Sequence, residues 1–199
     1  MVKFLFSVLL VLGATLFSSC TSFKTSNGFM SVREDEVAVP EPGRALILFQ
    51  RDNARIAEWN AVNIWEITNR EPQLVGLLHG KMKAARQVDP GEHDFMLAIV
   101  GRTQILRTNV KAGMTYFVQV NYSRGGMDGN AAYSFMPVRA GDENPMTAAD
   151  VSYFNDNAKQ WESESMISAN NHMAKAFKQW EEYSPEQRAR FSMLPTDGR

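Results

Sequence analysis

Residues 74–100 read LVGLLHGKMKAARQVDPGEHDFMLAIV and contain the pattern that decides the fold. Three short apolar runs are separated here by two turn signals: 73–79, 84–88 and 93–100. Runs of this length bounded by Gly and Pro are typical of strands. In the second turn, DPGE, Pro90 fixes φ at the first central position and Gly91 supplies the positive φ that a type II turn needs next. The stretch therefore predicts three strands joined by two turns.

Carboxylate and imidazole side chains lie close together in the same stretch, which raises the question of a metal site. Glu92 and Asp94 share one face of the predicted strand, whereas His93 points to the opposite face. Structural zinc sites draw on closely spaced Cys and His ligands, and the chain has a single Cys and no spaced His pair. The sequence therefore predicts neither a metal nor another cofactor.

Similar short runs continue on both sides and predict a small antiparallel β-sandwich of seven or eight strands over residues 44–138. In TYFVQVNY, which begins at Thr115, alternate residues form an apolar face and a partly polar face, as expected of a strand exposed on one side. The predicted strands are 45–50, 61–67, 73–79, 84–88, 93–100, 103–108, 115–122 and 131–138.

Four segments of this region resemble an uncharacterised family of bacterial lipoprotein β-sandwich domains: RALILFQR, LVGLLHGKM, VDPGEHDFMLAI and VKAGMTYFVQVNY. That family, a domain of unknown function, shares its short-strand pattern with PEGA-type domains. The resemblance implies a small extracytoplasmic sandwich with a Pro-Gly turn before one strand and a Gly-containing turn before a Tyr-rich strand. It implies no catalytic residues, because none are established in the family.

The N-terminal residues 1–19 are typical of a bacterial lipoprotein signal peptide. Lys3 supplies positive charge, and an apolar run of 14 residues follows, which is short for a membrane span. The sequence LFSSC that ends at Cys20 resembles a lipobox, although Phe17 stands where Leu is usual. The resemblance implies cleavage before Cys20 and attachment of palmitate-type acyl chains, whose buried methylenes contribute about 0.8 kcal/mol each. Cys20 is thus the predicted lipidation site and membrane anchor.

Residues 20–43 are rich in Ser, Thr, Asn and Gly, then in charge, and predict a flexible tether. Thr21, rather than Asp, follows Cys20, which by analogy with enterobacterial sorting favours the outer membrane, with the domain facing either the periplasm or the cell surface. The formal net charge of −1 points to no nucleic-acid partner. A single cysteine leaves no disulfide framework within the chain.

The periodicity changes in the C-terminal part of the chain, and residues 146–193 predict a helical tail. Thr147 and Asp150 have the spacing of a helix start, and apolar residues then recur at three- and four-residue steps. Ser184, followed by Pro185 and Gln187, predicts a second, short helix. Residues 194–199 are predicted to form a disordered end.

The long amphipathic helix has two alternative roles. It packs on an open face of the sandwich and completes the core, or it binds an envelope protein partner or a second copy of the chain through its apolar stripe. The candidate interaction residues are Phe154, Trp161, Met173, Phe177 and Trp180.

The patterns together predict a lipid-anchored envelope protein whose non-catalytic sandwich serves protein interaction or scaffolding. The alternative is a module that binds glycan or peptidoglycan through exposed aromatic residues such as Trp59 and Trp65. The three histidines, His79, His93 and His172, are scattered and form no recognisable acid–base set, so no enzymatic activity is predicted.

Overall fold

The computed structural model describes residues 24–26, 30–33, 39–51, 62–78, 83–99, 102–123, 132–142, 151–154 and 159–199. The strands in these ranges are β1 (Lys24–Ser26), β2 (Met30–Arg33), β3 (Ala45–Arg51), β4 (Val62–Thr68), β5 (Glu71–Leu78), β6 (Lys83–Val88), β7 (Gly91–Ile99), β8 (Arg102–Val110), β9 (Thr115–Ser123), β10 (Ala132–Pro137), β11 (Val151–Phe154) and β12 (Ser192–Met193). The helices are α1 (Lys159–Glu182), α2 (Pro185–Arg190) and a 3-10 turn at Pro195–Asp197.

The strands form two mixed sheets, with the orders β1-β2-β11-β6-β3-β9-β10 and β12-β8-β7-β4-β5. The mainly β class with a C-terminal helix is confirmed, and β3 to β10 match the eight predicted strands. The antiparallel arrangement is confirmed only in part, because the pairs β3–β9, β6–β11 and β8–β12 run parallel. Parallel neighbours need a long crossover connection, and the chain between β3 and β9 forms β4, β5, β7 and β8 of the other sheet as well as β6.

The two sheets pack face to face through aromatic side chains. The ring of Phe49 in β3 lies 5.1 Å from that of Phe95 in β7 and 5.7 Å from that of Phe135 in β10. All three rings are fully buried and tilted against one another, the arrangement that aromatic pairs favour. These contacts place the main core between the sheets.

Helix α1 forms a third layer on the outer face of the five-stranded sheet. Because successive residues of a strand face opposite ways, Met96 points away from the side occupied by Phe95, and Trp65 lies opposite Met96 on the neighbouring strand. Both Met96 and Trp65 are buried, and Trp180 of α1 belongs to the same buried cluster. The helix therefore completes the core of its own sandwich along its described C-terminal half.

Several local sequence signals are confirmed. Gly91, the first residue of β7, has φ +123°, and Gly113, between β8 and β9, has φ +76°, both in the region that favours glycine. Ser184 caps α2: its hydroxyl accepts the amide of Gln187, whose side chain accepts the amide of Ser184.

The helix predicted to run on from Thr147 is wrong at residues 151–154, and Thr147 itself lies outside the described residues. Val151–Phe154 forms β11, which pairs antiparallel with β2 and parallel with β6, and α1 begins at Lys159. The sequence VSYF is β-branched and aromatic and therefore suits a strand. Two apolar residues three positions apart cannot distinguish a helix from so short a strand, and in the fold this segment is paired on both sides, with β2 and with β6.

Two boundary predictions also need correction. β1 and β2 lie within the predicted tether, residues 20–43, and extend the seven-stranded sheet. The predicted disordered end, residues 194–199, is bonded to the sheet instead. The amide of Thr115 donates to the carbonyl of Arg199 at 2.9 Å, and the reverse bond is 3.0 Å. The C-terminal residues are ordered because their main chain supplies hydrogen-bond partners for main-chain groups at the start of β9.

Gln104 closes the open edge of the seven-stranded sheet. Its buried side chain extends from β8 to edge strand β10, where the amide of Phe135 donates to Oε1 at 2.9 Å and Nε2 donates to the carbonyl of Phe135 at 3.2 Å. The carboxamide thus replaces the main chain of a missing neighbouring strand.

Replacing Gln104 with leucine is expected to lower the free energy of unfolding by about 2–4 kcal/mol, because two buried main-chain groups lose their partners at about 1–2 kcal/mol each. Urea unfolding of the full chain measures the change. Asn109→Leu, at an exposed position of β8, is the matched control and should change little. An unchanged urea midpoint for Gln104→Leu would contradict the role given to the carboxamide.

Candidate functional site

A buried ionic cluster joins the two sheets at one end. Glu66 in β4 is 5% exposed and lies on the inner face, opposite Phe95. Arg86 in β6 of the other sheet donates from Nε to Oε2 of Glu66 at 2.6 Å and from Nη2 to Oε1 of Gln73 at 2.9 Å. His93 in β7 bonds the other carboxylate oxygen of Glu66 through Nδ1 at 3.1 Å. One carboxylate therefore connects three strands from two sheets.

The bonds of His93 define its protonation state. Its Nε2 lies 2.7 Å from the carbonyl of Asp89, which only accepts, so Nε2 carries a proton. Its Nδ1 meets the carboxylate of Glu66, which Arg86 holds in the ionised form, and this oxygen also accepts. Both ring nitrogens therefore donate, and the arrangement is that of an imidazolium.

The pKa directions agree with this assignment. The hydrogen bond to Glu66 raises the pKa of His93 above its ordinary 6.5, although burial acts in the opposite direction. Burial alone raises the pKa of Glu66, but the hydrogen bond from His93 and the charge of Arg86 outweigh it and bring the pKa below its ordinary 4.5. The charged forms of Glu66 and His93 stabilise each other.

A pH dependence of stability follows. The raised pKa of His93 gives a contribution that is fully present below 6.5 and is lost as the pH rises through the folded-state value. The lowered pKa of Glu66 gives a second contribution to stability, which is present above pH 4.5 and is lost as the pH falls through the folded-state pKa. We expect the stability advantage of the natural protein over His93→Gln to be largest between 4.5 and 6.5 and to shrink at alkaline pH. Urea unfolding of both proteins from pH 4.5 up to alkaline pH checks it, and a difference that stays constant over that whole span would contradict it.

A groove opens beside this cluster, between helix α1 and the turn that joins β4 to β5. We call it the hairpin groove. It encloses about 520 Å³ and is lined by Ile67, Asn69, Arg70, Asp94, Asn170, Met173, Ala174, Phe177, Lys178 and Glu181. A smaller recess of about 390 Å³ adjoins it, shares Ile67, Asn69 and Asp94 with it, and is also lined by His93 and Arg107. The two form a continuous concave surface.

The turn at the rim of the groove has an unusual backbone. Asn69 has φ +53° and Arg70 has φ +64°, the conformation of a two-residue type I′ hairpin turn. Glycine is the usual residue at the second position of such a turn, but this chain has Arg70 there. The sequence therefore lacks the Asn-Gly or Asp-Gly pair that predicts a type I′ turn, and the turn type was not predicted. The available signal was Asn69, a residue type that tolerates positive φ, in the gap between the predicted strands 61–67 and 73–79.

Ion pairs neutralise part of the charge around the groove. Arg107 donates to both oxygens of Asp94, at 2.9 and 3.1 Å, and this bond raises the pKa of Arg107. The guanidinium also lies over the ring of Trp180, 5.4 Å from its centroid. Within the described residues, the side chains of Arg70 and Glu181 take part in no ion pair or hydrogen bond. The rim therefore presents one positive and one negative group.

The structure assigns different places to the predicted interaction residues. Trp180 is 6% exposed and packs on the sheet, and Met173 and Phe177 are half-buried against the same core. Phe154 lies in β11 and Trp161 in the first turns of α1, and their side chains are outside the described part, as is Cys20.

The predicted exposed aromatic surface is wrong for Trp65, which is 1% exposed beneath α1 because a helix covers that face of β4. Trp59 and His79 lie outside the described residues. Of the other histidines, His93 belongs to the ionic cluster, and His172 lies on α1. The described residues contain no group of three or more side chains suited to a metal ion.

Neither the family models nor the curated proteins match this chain. The resemblance to a lipoprotein sandwich family therefore stays a prediction. None of the described helices is long and apolar enough to cross a membrane.

Proposed function

We propose that this chain is a lipid-anchored protein of the bacterial envelope whose β-sandwich, with α1 packed on it, is a non-catalytic module for protein interaction or scaffolding. The anchor is Cys20, which follows a signal-like apolar segment. Residues 24–33 and the domain then lie close to the membrane surface, at the outer membrane.

The bonding of the buried charged groups supports a non-catalytic role. Glu66 connects the sheets through Arg86 and His93. Asp197 accepts from Arg139 at 2.9 Å and so attaches the C-terminal end to the domain. These groups stabilise the fold, and burial together with saturation of their hydrogen bonds makes them poor acids or bases for an external substrate.

The outer surface of the sandwich is left for recognition. Because the apolar stripe of α1 packs on its own sheet, we infer that the partner contacts another surface. The hairpin groove is a concave part of the described surface and combines apolar and charged side chains. Ligand sites in proteins are commonly concave, largely apolar and equipped with a few polar groups.

The test of this proposal combines labelling with crosslinking in the native envelope. Cells are fed an alkyne analogue of palmitate, and the full-length protein carries a photo-crosslinking amino acid at Ala174 in the groove or, as control, at exposed Asn171 on the same helix. We expect the label on the natural protein but not on Cys20→Ser, and a crosslinked protein partner. An unlabelled natural protein in the soluble fraction would overturn the anchor, and crosslinks to no protein at either position would overturn the interaction role.

A further inference from the structure

We propose that the hairpin groove binds a short peptide segment in which an apolar side chain lies near both an acidic and a basic group. This inference rests on the proposed function, since it names the chemistry of the partner. The size of the groove, its apolar floor and the two opposite charges on its rim carry it.

The floor of the groove is apolar and fixed in place. Ile67 is 8% exposed and belongs to the core cluster, while Met173 and Phe177 are half-buried and pack against that cluster. These three side chains come from the sheet and from α1, so the floor spans the junction of the two layers. A volume of about 520 Å³ falls within the range of ligand pockets. The floor therefore offers an apolar side chain a prepared site.

The rim charges favour a ligand of both signs. Asp94 is already neutralised by a two-point bond from Arg107, and Lys178 has Glu182 at 4.0 Å. Arg70 and Glu181 have no such partner within the described residues. A purely acidic ligand meets repulsion from Glu181, and a purely basic one meets repulsion from Arg70. A peptide with an acidic and a basic group complements both.

The position of Arg70 adds an independent argument. Its φ of +64° is a conformation that glycine adopts without steric cost and that other residues rarely adopt. The fold gains no hydrogen bond or ion pair from this side chain within the described residues. A guanidinium presents a planar pair of donors that fits a carboxylate, and the tight turn fixes where that group starts. We infer that Arg70 occupies this position, where the backbone conformation favours glycine, because its guanidinium contacts a bound carboxylate.

The experiment is a titration of the isotope-labelled full chain with three tetrapeptides, followed by amide chemical shifts in NMR spectra. The peptides are acetyl-Glu-Leu-Leu-Lys-amide, its reversed-order counterpart, and acetyl-Gln-Leu-Leu-Gln-amide. We expect one of the two charged peptides, the one whose Glu and Lys come to lie beside Arg70 and Glu181, to shift the amides of Asn69, Asn170 and Ala174. We expect it to bind at least about fivefold more tightly than the Gln-flanked peptide, the gain from one good exposed ion pair.

Matched variants identify the two charge contacts. Arg70→Asn keeps a residue that tolerates positive φ. Two single-charge peptides, in which Gln replaces either the Lys or the Glu, separate the two contacts. Arg70→Asn is expected to remove the advantage of the Glu in the peptide over Gln but not that of the Lys. Glu181→Gln should do the reverse, and Lys111→Gln, at an exposed cation on the β8–β9 turn, should do neither. Equal affinity for all three peptides in the natural protein, or loss of neither advantage in the two variants, would overturn the charge assignment.

A second pair of variants tests the groove without removing a core side chain. Ala174→Trp fills the groove from an exposed position and should abolish peptide binding, whereas Asn171→Trp on the same helix should not. Peptide shifts that persist in Ala174→Trp, or no shifts with any peptide, would overturn the groove as the site. If a partner still crosslinks in the envelope in that case, the scaffolding function stands while this inference fails. If instead the peptides bind but the protein carries no lipid label, the groove stands as a peptide site while the proposed membrane anchor fails.

Discussion

Replacing Trp180 with alanine is expected to lower the free energy of unfolding by about 3–5 kcal/mol, as for other buried aromatic residues cut to alanine. The indole is 6% exposed and belongs to the cluster that α1 shares with the five-stranded sheet. It also supports the guanidinium of Arg107, which in turn holds Asp94. The variant therefore loses both apolar contact and the surface on which an ion pair rests. Urea unfolding of the full chain measures the loss.

The same substitution separates the two roles that the sequence leaves open for the helix. A stripe reserved for a partner protein predicts normal stability and lost partner binding in Trp180→Ala. A stripe that belongs to the core predicts the stability loss given above. Asn171→Ala, at an exposed position of α1, serves as control and should leave the unfolding midpoint unchanged. A Trp180→Ala protein of normal stability would favour the alternative in which the helix binds a partner.

Replacing Arg139 with methionine is expected to cost about 3 kcal/mol, because it removes the side chain that attaches the C-terminal end to the domain. Its Nη1 donates to the carbonyl of Ser192 at 2.7 Å and to Oδ2 of Asp197 at 2.9 Å, and its Nη2 donates to the carbonyl of Ala189 at 2.8 Å. Asp197 is 5% exposed, so the variant leaves a buried carboxylate without its cation. Amide hydrogen exchange should also become fast in residues 191–199.

Two further variants make this prediction sharper. Arg190→Met, at an exposed position of α2, is the matched control and should change stability little. Gly198→Ala tests the same contact by sterics, since its Cβ would lie 2.7 Å from the ring of Tyr116 and 2.8 Å from Cβ of Met114. Overpacking of this kind costs about 1–3 kcal/mol. If residues 194–199 were a disordered end, both Arg139→Met and Gly198→Ala would leave the urea midpoint unchanged.

Much of the candidate site was beyond prediction from the sequence. Glu66 meets Arg86 and His93 across separations of 20 and 27 residues, and no local pattern relates positions that far apart. His93 was correctly separated from Glu92 and Asp94 by strand alternation, but its partner on the inner face depends on which strand lies beside β7. The hairpin groove needs the position of α1 as well, which periodicity does not contain.

The sequence by itself determined the local elements of this protein: eight strands, the glycine turns at Gly91 and Gly113, and the cap at Ser184. Alternation, positive φ and capping are properties of a few neighbouring residues, so they can be read from neighbours alone. Only the tertiary structure decided the sheet order, the three parallel pairs, the use of VSYF as a strand and the packing of Trp180. The physical reason is that burial is non-directional: an apolar stripe specifies that a face must leave water, but not which surface covers it.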